Sequence, residues 1–266
     1  MNIAGFGAAV APAVLQGALV ALPRGDALGC LRRLRSPAWA AALPGCIVVG
    51  TFGPLGAHSF ALGLILLGAL ATPPLAAVAV LAVVRGPRTA LVALALAAGL
   101  LATFAGGVSG QMSAAVLTSL GALAVGAALA RLIPSRWVLA GFACMCAVDV
   151  ALLAAGVGQP AATVIAHAAA HVPGPLLDHA HVGPVVLDYP DLVLAAILGG
   201  FFAGQRGQLF AASLVTVLAA TCLVLAPPHT TWPATAPIAM TLIALRTFGL
   251  RRVSDASPLV PEPRTV

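Results

Sequence analysis

Asp149 interrupts an apolar run, with Cys144-Met145-Cys146-Ala147-Val148 before it and Val150-Ala151-Leu152-Leu153 after it. An ionised carboxylate in the middle of a bilayer costs about 2.5–3.5 kcal/mol even on a lenient insertion scale, so an acid kept there is a candidate for proton transfer or catalysis. The structural alternative is a protonated Asp hydrogen-bonded to a neighbouring helix. Asp188 and Asp191 open a second apolar run, Leu192-Val193-Leu194-Ala195-Ala196-Ile197-Leu198-Gly199-Gly200. One aspartate there is explained as a helix start, since Asp is favoured at the N-cap and in the first turn. Two are explained less well, and their i, i+3 spacing puts them on one face. Two carboxyls brought together share a proton, because like charges resist joint ionisation; one then serves as general base toward water and the other as general acid. This is the chemistry of aspartic peptide hydrolysis, and it needs no cofactor.

Four histidines form the second constellation, His167 and His171 at i, i+4 and then His179 and His181 directly after Asp178. Histidines four apart share a helix face and can bind a metal such as zinc. The structural alternative is a set of solvated loop histidines, since no Cys or Glu completes a familiar spacing. A metal- or proton-coupled membrane transporter, with Asp149 as its midplane ion site, is therefore the competing function; no inverted repeat accompanies it. Gly107-Val108-Ser109-Gly110 matches the Gly-x-Ser-Gly of rhomboid serine proteases, but a four-residue match in a glycine-rich chain is a weak signal, and a loop of small residues is the ordinary explanation. No HExxH is present, which disfavours a zinc protease of the membrane. The five cysteines, 30, 46, 144, 146 and 222, have no CxxC spacing and read as small buried hydrophobes.

The elements that position these residues follow from composition. With 61% hydrophobic and 8% charged residues in 266, and a mean hydropathy of +1.07, the chain has too little polar surface to cover itself in water. Lipid is the expected solvent. The formal charge of +6 comes from arginine alone, in short loops and a tail, and excludes a nucleic-acid-binding face. A spanning helix needs about 20 apolar residues, with roughly 17 as a lower limit. Breaks at Arg, Pro, Gly and His then leave nine segments: 3–22, 37–53, 58–84, 89–105, 113–130, 137–157, 185–204, 207–226 and 233–249. The third is expected to be one kinked helix through Pro73 and Pro74, because each half is too short to span. The first lacks a basic n-region and is expected to be retained as a helix, not a cleaved signal peptide. A short surface helix is expected over Ala161 to His171.

Cytoplasmic loops collect basic residues. Arg24, Arg32, Arg33 and Arg35 follow the first segment, Arg85 and Arg88 the third, Arg131 and Arg136 the fifth, and Arg206 the seventh; the other four lie at the end of the ninth and beyond. The loops after the second, fourth, sixth and eighth segments contain none. Nine segments thus put all 13 arginines on one side, giving an all-α, multi-pass protein of the cell (plasma) membrane with its N-terminus outside and C-terminus in the cytoplasm. Residues 1–250 form a single transmembrane domain, and 251–266, rich in Pro and Arg, a disordered cytoplasmic tail. Membrane lipid is a necessary partner.

In this arrangement Asp149 lies roughly 12 Å from the outer end of its segment and Asp191 roughly 9 Å along the next, at 1.5 Å per residue. The two carboxyls therefore share a level.

With these residues in place, the sequence resembles the presenilin and signal peptide peptidase family of intramembrane aspartyl proteases. That family has nine helices, a catalytic Asp in a Tyr-Asp motif on the sixth, another in Gly-x-Gly-Asp on the seventh, and Pro-Ala-Leu opening the ninth. Val148-Asp149 stands at the first motif, Asp191 with its apolar run at the second, and Pro233-Ala234-Thr235 at the third. The resemblance implies Asp149 and Asp191 as the catalytic pair, with Asp188 as an alternative acid. It implies Pro233, Ala234 and Thr235 as substrate-positioning residues and a transmembrane peptide or protein as substrate. Val148, Tyr189, Pro190 and Thr235 replace the motif Tyr, both glycines and the Leu, so close backbone approach at the second motif is lost.

Overall fold

The computed structural model describes residues 3–25, 27–84, 92, 94–95, 97–99, 107–170, 172, 177, 179–182, 185–205, 207–225 and 235–247. The fourth segment falls largely outside these residues, as do His171, Asp178, Pro233, Ala234 and the tail 251–266. The elements are α1 (Ile3–Ala21), α2 (Ala38–Gly56), α3 (His58–Val78), α4 (Gly107–Leu132), α5 (Ser135–Ala154), α6 (Gly158–Ala169), β1 (His179–Val182), β2 (Val185–Asp188), α7 (Tyr189–Phe202), α8 (Gln208–Leu225) and α9 (Thr235–Thr247).

Four helices are long and apolar enough to cross a membrane: Ala38–Gly56, His58–Val83, Ser109–Leu132 and Ser135–Ala154. The third segment is one helix, as expected. It continues past Pro73 and Pro74 and ends in a π turn, Ala79–Val83, closed by Val84 N–H to Ala79 O at 2.9 Å. α2, α3 and α5 are exposed over most of their length, and their outer faces carry Val49, Phe52, Leu66, Leu67, Leu70, Val150 and Leu153. An apolar surface of this extent is what lipid, and not water, leaves in place.

The core is built around α7. Every residue from Leu192 to Gly200 is buried, with α4 on one side and α1 on another. Small residues make this possible. A Cβ on Gly126 would meet Ala196 Cβ and lie 2.8 Å from Val193 O, and one on Gly199 would lie 2.6 Å from Leu19 O. Small residues four apart, Gly126 with Ala130 and Ala196 with Gly200, let helix backbones approach closely, the usual device of helix association in lipid. α3 packs on α4, α2 on α5, α8 on α1, and α9 against α8, α5 and α7.

One expectation is corrected. The seventh segment does not begin as helix: Val185–Asp188 is a strand, paired antiparallel with His179–Val182, and the helix starts at Tyr189. The fold is mostly helical, with one short β-hairpin. The β-branched pair Val185-Val186 favours a strand, and Pro190 in the first turn fixes where the helix begins. α7 has only 14 residues, about 21 Å of rise, less than the roughly 30 Å of a hydrocarbon core. Non-helical backbone at that depth is tolerated where protein surrounds it, and α7 is surrounded. The short surface helix expected at Ala161 to His171 is α6, Gly158–Ala169. Ala168 and Ala169 pack on Ala61 and Ile65 of α3.

The arginine-bearing connections converge. Arg24 N–H bonds Val83 O at 3.0 Å, Ser36 N–H bonds Leu132 O at 3.1 Å, and Arg131 donates to Gly25 O at 2.7 Å and Ala27 O at 3.0 Å. Gly25 also packs beside Ala203 and Gly204. The ends of α1, α3, α4 and α7 thus meet at one end of the molecule.

A candidate acidic site where α5, α7 and α9 meet

Asp149 lies near the C-terminal end of α5, away from the arginine end, and is partly buried. Thr235, the first residue of α9, donates from Oγ1 to Asp149 Oδ2 at 2.7 Å across 86 residues. Thr235 is 2% exposed. One turn earlier on α5, the Cys146 thiol donates to the Thr235 carbonyl at 3.9 Å. A side chain and a backbone group of the same threonine therefore tie α9 to one face of α5.

Asp188 closes β2 and is the N-cap of α7, with φ −72° and ψ 152°. The Asp191 carboxylate, in the first turn, accepts the backbone N–H of Asp188. This is the return half of a capping box, in which the third residue of a helix satisfies the donor left free at its start. Asp188 is exposed and Asp191 partly so.

The geometry differs from a direct pairing of adjacent helices. α5 and α7 share no extensive packing among the described residues, whereas α9 packs against both. α6 and the hairpin intervene between α5 and α7 in the chain, and α9 contacts both.

His167 is exposed on α6. The hairpin register sets His179 opposite Asp188 and His181 opposite Val186. Among the described residues no group of three or more His, Cys, Asp or Glu is gathered as a metal ion would require. Gly107–Gly110 opens α4 as helix. Two participants had not been singled out. Cys146 was legible as the residue three before Asp149, on the same helix face. Tyr189, the only tyrosine, sits where a Cβ on Gly121 would be 3.5 Å from its hydroxyl and 3.1 Å from Thr72 Cγ2; no local pattern marks that contact.

Fold and composition together define a helical protein whose solvent includes lipid, with an acidic site at the end away from its arginines. Comparison with protein families, curated proteins and solved structures found no match for this chain.

Proposed function

We propose that the chain is a nine-span protein of the cell membrane, N-terminus outside and C-terminus in the cytoplasm, and an intramembrane aspartyl protease of the presenilin and signal peptide peptidase type. Asp149 and Asp191 form its dyad. Both come from apolar helices, and both act on water and a peptide bond of a transmembrane substrate. The observation that carries the reading is the oriented Asp149: a buried hydroxyl of α9 holds one carboxylate oxygen, and α9 packs against both α5 and α7, the helices of Asp149 and Asp191. Such an arrangement suits two acids that divide one proton between them. By the family resemblance, Pro233 and its neighbours help position the substrate.

The decisive experiment is hydrolysis of generic transmembrane peptides by purified protein, comparing wild type with Asp149→Asn and Asp191→Asn. Loss of cleavage in both is expected. Cleavage that persists in either variant removes the dyad.

One observation favours the rival, a proton-coupled transporter: α9 bridges α5 and α7 by packing against both while these two share no extensive packing among the described residues, which suits carboxyls that relay protons in sequence. Proton flux in liposomes that Asp149→Asn abolishes, with no peptide cut by wild type, would establish that rival.

A further inference from the structure

The buried hydroxyl of Thr235 crosses from α9 to α5 and donates to Asp149 Oδ2 at 2.7 Å. A hydroxyl has one hydrogen to donate, and this one is committed to a carboxylate. The carbonyl of the same residue takes the Cys146 thiol, so the threonine is held from both sides and cannot readily turn toward a substrate.

We infer that Thr235 is a positioning residue for Asp149 and not a substrate contact: its hydroxyl fixes the orientation of the carboxylate that works on water. The catalytic consequence rests on the protease reading; the coupling of Thr235 to Asp149 does not. In the hydrolytic step, Asp149 takes a proton from water as the water oxygen bonds to the peptide carbonyl carbon, and Asp191 gives its proton to the carbonyl oxygen. The gem-diol then breaks its C–N bond, the nitrogen takes the proton from Asp149, and one diol hydroxyl returns its proton to Asp191. Acid, amine and the starting protonation state result.

The test uses full-length protein in phosphatidylcholine vesicles, a synthetic transmembrane peptide as substrate, and the variants Thr235→Val and Thr235→Ser. Thr235→Val, nearly isosteric but without the donor, is expected to lower kcat about tenfold or more at unchanged KM. Thr235→Ser, which keeps the hydroxyl, is expected to stay within about threefold of wild type. A rise in KM at unchanged kcat assigns Thr235 to substrate contact and overturns the inference, as does equal damage in both variants.

A second readout needs no protease activity. In a double-variant cycle read by thermal unfolding in detergent, Thr235→Val is expected to lower the apparent melting point of wild type but not that of Asp149→Ala, and Thr235→Ser to leave wild type unchanged. A fall of equal size in both backgrounds overturns the inference even if peptide is cut. A fall confined to the background that keeps Asp149, in protein that cuts no peptide, upholds the coupling and removes the protease. If Thr235→Val fails to elute as folded protein, Thr235→Ala takes its place with the same expected outcomes.

Discussion

Arg131, in the last turn of α4, donates from its guanidinium to the carbonyl of Gly25 at 2.7 Å, across 106 residues. A second bond from the same side chain reaches Ala27 O. An arginine at a helix C-terminus also complements the partial negative charge there. The bonds join two connections that sidedness of charge places in the same compartment.

That relationship predicts accessibility. Cys30 lies at the arginine end and is exposed, while Ala57, between α2 and α3, is exposed at the other. In intact cells a membrane-impermeant maleimide is expected to label a single cysteine placed at Ala57 and to spare Cys30 until the membrane is opened. The reverse pattern would invert the proposed orientation, and labelling of both from outside would break the one-sided placement of arginines.

Gln208, buried at the start of α8, donates to Val20 O and Ala21 O, each at 3.1 Å, and to Pro23 O at 2.8 Å, while its Oε1 accepts Gly204 N–H at 3.1 Å. These are carbonyls that the C-terminus of α1 leaves without helical partners. Gln208→Leu strands several buried polar groups, each costing about 1–3 kcal/mol. Thermal unfolding in detergent should show destabilisation of about 2 kcal/mol or more, with the apparent melting point falling while Gln205→Leu has less effect.

The crossing of α4 and α7 leaves no room at Gly126. Gly126→Leu is expected to destabilise by about 1–3 kcal/mol or more, as overpacking does. Gly63, exposed on α3 with nothing near its Cβ position, is the control: Gly63→Leu should change stability by no more than about 0.5 kcal/mol. Equal tolerance at both sites would mean that α7 is not clamped by α4.

Asp191 has two separable duties. Its carboxylate caps the α7 N-terminus through Asp188 N–H, and it is the proposed acid. Asn retains an acceptor oxygen and Ala does not. Asp191→Asn should therefore keep the wild-type melting point while abolishing peptide cleavage, and Asp191→Ala should in addition lose about 0.5–2 kcal/mol. Wild-type cleavage by Asp191→Asn would leave Asp191 with the capping duty alone.

The described helical segments were legible because membrane solvation writes itself locally: a run of apolar residues long enough to cross is recognisable without any partner. Passage of α3 through Pro73 and Pro74 was legible by the same length requirement, and the shared placement of Arg24, Arg35 and Arg131 by the charge of successive loops. Asp149 stood out because an acid is conspicuous among apolar neighbours. The hairpin was less legible, since Val185-Val186-Leu187 is as apolar as the helix it precedes, and short apolar runs do not distinguish strand from helix.

Residue order therefore settled the apolar helical class, the expected one-sided arginines and the identity of the acids, all of which depend on hydrophobicity and charge summed along the chain. Which helix stands beside which was left to the folded molecule. Thr235 meets Asp149, α9 packs against both α5 and α7, and Gln208 closes the end of α1, while at Gly126 and Gly199 small residues permit the close approach of α7 to α4 and α1. That complementarity of faces belongs to pairs of distant segments, and no single segment contains it.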